Sequence, residues 1–138
     1  MITLSSECFI EASCFVHTPK HWGYSRLITR REVSNCIKSK KFFKKPIVGK
    51  VSRRIHIERI AYLIVYGFKG LVLIEPPNKK GESCFSDGNH RVAASVYKGI
   101  DIECEVFYRA SYLKELGKLG EAIEKEYKKT PNNCKGVF

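Results

Sequence analysis

The sequence lacks any apolar run of the ~20 residues that a helix needs to cross a bilayer. The longest such run, from Ile60 to Phe68, is interrupted by tyrosines and by Gly67. The first residues include Glu7 and Glu11 and have no basic start, so they do not predict a secretory signal. We therefore expect a cytoplasmic protein that does not bind a membrane.

The chain also lacks the cysteine spacings that would indicate a metal site or a disulfide framework. Its six cysteines form no C-x-x-C motif and no zinc-finger spacing with histidine. Without an export signal, they are expected to be reduced thiols. Cys84 and Cys104 lie within apolar stretches and are expected to be small core residues. The cysteines therefore predict no metal site.

Acidic residues are scarce, with 14 against 25 lysines and arginines, so the net charge is +11. Residues 1–60 hold 13 basic and four acidic residues, whereas residues 61–138 hold 12 and ten. An excess of this size favours a polyanionic partner such as nucleic acid, a nucleotide or acidic lipid. The alternative is a solvated basic face that binds no partner.

The 138 residues are 43% hydrophobic, which is typical of one folded domain and argues against intrinsic disorder. The T-x-x-E pattern from Thr29 to Glu32 predicts a capped helix that begins at Arg30. Periodicity and turn residues predict further helices over 55–66, 92–98 and 111–129 and strands over 7–17, 71–74, 83–86 and 102–108. The helix over 55–66 is expected to end in a left-handed cap at Gly67.

Five lysines surround Phe42 and Phe43 in the segment that precedes Pro46. The lysines, as candidates for nucleic-acid binding, are Lys38, Lys40, Lys41, Lys44 and Lys45. Lysines bind phosphates through charge and phenylalanines stack on bases, so this segment could bind a single strand. In the alternative, the lysines stabilise the end of a helix and the phenylalanines enter the core.

The most informative motif is Asp87-Gly88-Asn89-His90-Arg91, between a predicted strand and a predicted helix. Gly88 allows a tight turn with positive φ, and the first amides of the helix would attract an anion. Arg91 offers a planar fork for phosphate oxygens, and His90 can move a proton near neutral pH. Asp87 could cap the helix, hold Arg91 or bind a metal. Alternatively, the motif is an ordinary turn with exposed side chains.

The order of helix, Gly, apolar strand, loop, short strand, D-G-N-H-R-V-A-A-S, helix and strand resembles the ParB/sulfiredoxin-like superfamily. The resemblance covers roughly residues 47–108, and Ala93 and Ala94 match the small residues of the helix that follows the family signature. Sequences with D-G-Q-H-R in DNA-modification and phage-defence systems are similar at the same turn. The resemblance implies an α+β fold with a small mixed sheet and packed helices.

The resemblance also implies phosphate-binding residues, namely Gly88, Asn89, His90, Arg91, Arg53 and Arg54. Sulfiredoxins have a catalytic cysteine where this chain has Asn89, so their thiol chemistry is not implied. We divide the chain into an atypical N-terminal part (1–46), a ParB-like core (47–108) and a C-terminal helix with a tail (109–138), all in one domain.

The first functional hypothesis is a ParB-like protein, of phage or plasmid type, that binds the phosphate of a nucleotide or nucleic acid. As an enzyme it would be an NTP hydrolase, phosphotransferase or nuclease, with His90 and Asp87 as catalytic residues and a nucleotide with Mg²⁺ as cofactor. One alternative is a non-catalytic nucleic-acid-binding protein that uses its basic residues. Another is an inhibitor of phage type that binds a protein.

Overall fold

The structure is a computed structural model that describes residues 1–10, 28–74, 85–106, 113 and 117–129, without the side chains of Ile10 and of residues 85–87. The predicted core residue Cys84 lies outside these ranges. Within them, the strands are β1 (Ile2–Leu4), β2 (Val72–Ile74), β3 (Phe85–Asp87) and β4 (Ile102–Val106). The helices are α1 (Glu7–Ile10), α2 (Arg30–Lys38), α3 (Arg53–Tyr66), α4 (Asn89–Lys98) and α5 (Lys118–Lys129).

The described strands form one mixed sheet in the order β1-β4-β2-β3, which confirms an α+β fold. β4 pairs antiparallel with β1 and parallel with β2, and β3 pairs back antiparallel on β2. In β4, Ile102, Cys104 and Val106 are buried whereas Glu103 and Glu105 are exposed. This alternation places one face of the strand in the core, as the period of two predicts.

Helix α3 packs against both α2 and α4, so these three helices position the residues discussed below. Thr29 caps α2 as predicted, because its side chain accepts a hydrogen bond from the Glu32 amide at 3.2 Å. From the first turn of α2, Arg30 donates to the carbonyls of Val96 and Tyr97 at the end of α4. Gly99 ends α4 in a left-handed conformation, which is the predicted helix end.

Two predictions near element ends are wrong. The segment predicted as a strand from residue 7 begins instead as helix α1, because Ser5 accepts from the Glu7 amide and Phe9 is fully buried. Gly67 has a φ of 78° but a ψ of 177°, so it is not in the left-handed helical region. Its extended ψ directs the chain away from α3 after the last helical hydrogen bond, from the Gly67 amide to the Leu63 carbonyl.

The predicted continuous helix over 111–129 is also wrong. Gly117 has a φ of 58° and lies in a turn, and α5 begins after it at Lys118. A Cβ at Gly120 would overlap the Leu113 carbonyl oxygen, so the backbone of α5 packs directly on Leu113. The two glycines therefore allow a turn and a close approach. The helical spacing predicts five inward residues, Leu113, Leu116, Leu119, Ile123 and Tyr127. All of them are buried except Leu116, which lies outside the described residues.

No described helix has both the length and the apolar character that crossing a membrane requires.

Candidate functional site

The D-G-N-H-R motif covers the last residue of β3, the connecting residue Gly88 and the first turn of α4. Gly88 has a φ of 104° and a ψ of 13°. This left-handed conformation strains any residue with a Cβ. A Cβ at Gly88 would also lie 3.0 Å from the Val72 side chain and 3.4 Å from Nη2 of Arg91. Glycine is therefore required here both for the turn and for the close approach of β2 and Arg91.

The Arg91 guanidinium lies against the backbone that leads into β2. Its Nη1 donates to the Lys69 carbonyl at 3.4 Å. Gly70, with a φ of 107°, leaves the space that the guanidinium occupies, since a Cβ there would lie 2.5 Å from Nη1. Gly70, before β2, and Gly88, before α4, thus both leave room for the Arg91 guanidinium.

Arg91 borders a cleft of about 530 Å³ between the end of α3, the start of α4 and the segment before α3. The cleft is lined by four permanent cations, Lys44, Arg59, Lys69 and Arg91, and by His90. None of the described residues that line it is a carboxylate. Tyr62 and Phe68 add aromatic surface. The positive charge of the cleft therefore suits an anion, and its aromatic surface suits an anion that carries an aromatic group.

The two guanidiniums of the cleft influence each other. Burial is the main cause that lowers the pKa of Arg59, Tyr62 acts in the opposite direction, and the positive charge of Arg91 lowers the pKa further. Arg59 is held by the Phe43 carbonyl, 3.4 Å from its Nη1, and its guanidinium lies 5.4 Å from the centre of the Tyr62 ring. An anion between Arg59 and Arg91 would relieve their repulsion.

A histidine pair joins α3 to α4 at the edge of the cleft. Nδ1 of His56 lies 2.8 Å from Nε2 of His90, and the rings are nearly parallel, with centroids 5.0 Å apart. Only one of the two nitrogens can donate in this hydrogen bond. If both rings were protonated, two N–H groups would face each other, so the pair carries at most one positive charge while the contact lasts.

The two histidines differ in their access to the cleft. His90 lines the cleft, whereas His56 is buried, with 4% of its surface exposed. His56 is therefore placed to orient the His90 ring. Whether Nδ1 of His56 donates or accepts in this hydrogen bond determines which nitrogen of His90 carries a proton. The His90 ring can then exchange a proton with a group bound in the cleft.

The structure brings four of the predicted binding residues to the cleft and places the others elsewhere. Gly88, His90, Arg91 and Lys44 line it. Asn89 begins α4 outside the lining, and its buried Oδ1 has no hydrogen-bond partner among the described residues. Lys38, Lys40, Lys41 and Lys45 are exposed and also lie outside the lining. The Asp87 side chain lies outside the described part of the structure.

Arg53 and Arg54 are held by carboxylates instead of facing the cleft. Nη1 of Arg53 lies 2.6 Å from Glu32, which links α3 to α2. Nη1 of Arg54 lies 3.3 Å from Glu58, one turn along α3. Neither arginine lines the cleft.

Sequence reasoning missed three contributors to the site, namely Arg59, Lys69 and His56. Arg59 lies among the apolar residues of α3, and their periodicity predicts only the buried face of the helix. A usable signal was present, because Arg59, Tyr62 and Leu63 follow the i, i+3, i+4 spacing of one helix face and all line the cleft. Lys69 had no local signal apart from its position next to Gly70.

In the described part of the chain, no three His, Cys, Asp or Glu side chains are grouped so that they could hold a metal ion. Comparison with protein-family models, with curated proteins and with solved structures gave no match to this chain.

Proposed function

We propose that this chain is a ParB-like protein that binds the phosphate of a nucleotide or a nucleic acid in the cleft beside Arg91. The observation that carries the proposal is the lining of the cleft, where four lysines and arginines converge and no described carboxylate neutralises them. Phosphate is the common biological anion that such a set of cations matches in charge and hydrogen bonding.

The start of α4 adds to this attraction. Its first turn has no acidic residue, and no side chain caps it. The positive end of the helix dipole therefore lies near Gly88 and Arg91 without an acidic residue in that turn. The guanidinium of Arg91 supplies two parallel donors, whereas Lys44 and Lys69 act as point charges.

The ParB-like part of the proposal is supported by the order of the elements and by the position of the motif. Helix α3, strand β2, returning strand β3, helix α4 and strand β4 follow one another as the resemblance implies. The D-G-N-H-R motif lies at the junction of β3 and α4, which corresponds to the turn where the family binds phosphate.

The histidine pair favours phosphoryl chemistry as the reaction of a bound ligand. In hydrolysis, a water oxygen bonds to phosphorus, the bond from phosphorus to the leaving oxygen breaks, and His90 takes the water's proton and returns it to the leaving oxygen. His56 would accept or release a proton behind it. The described lining offers no carboxylate for Mg²⁺, so a metal ion would have to enter already bound to the phosphates.

The proposal is tested by calorimetric titration with pyrophosphate and with nucleoside triphosphates, with and without Mg²⁺. Arg91→Ala should weaken binding by about tenfold or more, because hydrogen bonds to a charged group are lost. Arg31→Ala is the matched control, since Arg31 is exposed on α2 and lies outside the lining. Equal affinities of the wild type and of the Arg91 and His90 alanine variants would contradict the proposed site.

A further inference from the structure

The surface next to the cleft also carries cationic and aromatic side chains, and it extends further than one bound phosphate would. This inference depends on the proposed function, because it names the ligand of the same cleft. Along α3, Arg59, Tyr62 and Tyr66 follow the spacing of one helix face, and we call them the α3 row. Arg59 and Tyr62 line the cleft, whereas Tyr66 lies one turn further along and is 62% exposed.

The aromatic rings of the α3 row are held in place rather than loose. The ring centroids of Tyr62 and Tyr66 are 4.9 Å apart, with an angle of 32° between the rings. Phe42 supports both rings edge-on, with centroids 5.5 Å from Tyr66 and 6.5 Å from Tyr62. A ring that is fixed and exposed loses little conformational freedom when a flat group stacks on it.

The segment that supplies Phe42 also supplies positive charge. From residue 33 to residue 57 the sequence contains no acidic residue. Six lysines of this stretch are exposed, namely Lys38, Lys40, Lys41, Lys44, Lys45 and Lys50. None of the six forms an ion pair with a described residue. Their charge is therefore available to a chain of phosphates that extends beyond the cleft.

We propose that the ligand of the cleft is a single-stranded nucleic acid, bound with one phosphate at Arg91 and Arg59 and with an unpaired base stacked on Tyr66, whose ring Tyr62 supports. The α3 row runs over residues 59–66, seven steps of the helix or about 10 Å at 1.5 Å per residue. That length matches about three nucleotide steps of 3.4 Å in a stacked strand. Bases within a duplex are already stacked and paired, so the exposed Tyr66 ring beside a phosphate site selects an unpaired strand.

The test is fluorescence anisotropy with labelled thymidine oligonucleotides of one to twelve nucleotides. Affinity should rise with length, and a twelve-nucleotide strand should bind better than the same length of duplex. Tyr66→Ala should lower the affinity for the strand by about tenfold, because one stacked base is lost. Tyr66→Phe is the matched control and should bind as the wild type does, because it keeps the ring.

The positive charge of residues 33–57 gives a second readout, which is the dependence of affinity on salt concentration. The double variant Lys40→Ala and Lys41→Ala should reduce the slope of log affinity against log salt by about 1.4, at about 0.7 for each phosphate contact on a single strand. Lys125→Ala on α5 should leave the slope unchanged, since Lys125 is exposed on a helix distant in sequence from the cleft residues.

The outcomes separate this inference from the proposed function. If pyrophosphate binds through Arg91 but affinity does not rise with strand length, or Tyr66→Ala binds as the wild type does, the single-strand ligand is wrong and the phosphate site stands. Equal or tighter binding to duplex or to anionic phospholipid vesicles also overturns the inference. The vesicles are a meaningful comparison because Val48, two residues from Lys50, is an apolar side chain that is 90% exposed. If neither pyrophosphate nor any strand binds, both proposals fail.

Discussion

His56 on α3 and His90 on α4 share a hydrogen bond of 2.8 Å between Nδ1 and Nε2. The contact joins a buried residue to one that lines the cleft, across the interface of the two helices. It explains how a histidine from the turn motif acquires a fixed orientation. The orientation comes from a residue 34 positions earlier in the chain.

The histidine contact should appear as coupling in a double-mutant cycle. We expect His56→Ala and His90→Ala to destabilise the protein non-additively, with a coupling of about 1 kcal/mol from the shared hydrogen bond. The measurement is the free energy of unfolding in urea for both single variants and the double variant. A cycle of His56→Ala with Lys125→Ala, an exposed residue on α5, should be additive. Additivity in the histidine cycle would contradict the contact.

The placement of Arg91 by Gly70 predicts a difference between two glycine substitutions. Gly70→Ala should weaken phosphate binding, because the new Cβ would lie 2.5 Å from Nη1 and displace the guanidinium. Gly49→Ala is the control, since Gly49 also has a positive φ but a Cβ there would meet no atom within 4 Å. Both should lose about 1 kcal/mol of stability to backbone strain.

Pyrophosphate titration and thermal melting of the two glycine variants separate these effects. Only Gly70→Ala should lose affinity. If both variants bind pyrophosphate equally well, the guanidinium at Gly70 does not hold the ligand.

Arg30 should stabilise the end of α4. It donates to the Tyr97 carbonyl at 2.8 Å and to the Val96 carbonyl at 3.1 Å, and its guanidinium lies over the Tyr97 ring. Arg30→Ala should lower the free energy of unfolding by about 2 kcal/mol, since charged hydrogen bonds to the negative end of a helix are lost. Arg31→Ala, at the exposed neighbouring position, should change it by less than about 0.5 kcal/mol. Similar losses in the two variants would argue against this capping role.

Cys104 should make stability fall at alkaline pH. Burial, with a smaller contribution from Cys8, raises the pKa of the Cys104 thiol from 9.0 to about 12. The folded protein therefore keeps a proton that the unfolded chain releases, and the stabilisation is complete below pH 9 and is lost as the pH rises towards 12. Cys104→Val should reduce the alkaline decline by about 1 kcal/mol per pH unit in that window.

Urea unfolding between pH 8 and 11 measures this decline. Cys36→Val is the comparison, because Cys36 is only half-buried and its substitution should change the slope less. Equal slopes in the wild type and the Cys104 variant would show that the thiol ionises without cost in the folded state.

Local features of the sequence were sufficient for most of the elements. Thr29 and Gly99 mark the start of α2 and the end of α4, because a cap depends only on residues within one turn. The alternation of apolar and polar residues also predicts the buried face of β4, because it depends only on residues close in sequence. The turn at Gly117 was not predicted, since helical periodicity on either side concealed a turn that close packing on Leu113 stabilises.

By itself the sequence determined the basic character of the chain and the left-handed turn at Gly88, because charge and backbone freedom belong to single residues. The tertiary structure alone decided which cations form the cleft. Lys44, Arg59, Lys69 and Arg91 come from four separate parts of the chain and meet when α3 packs on α4. The packing of α3 on α2 ties Arg53 to Glu32, and most lysines of the segment between these two helices remain in solvent. Such convergence depends on contacts distant in sequence, which no local pattern encodes.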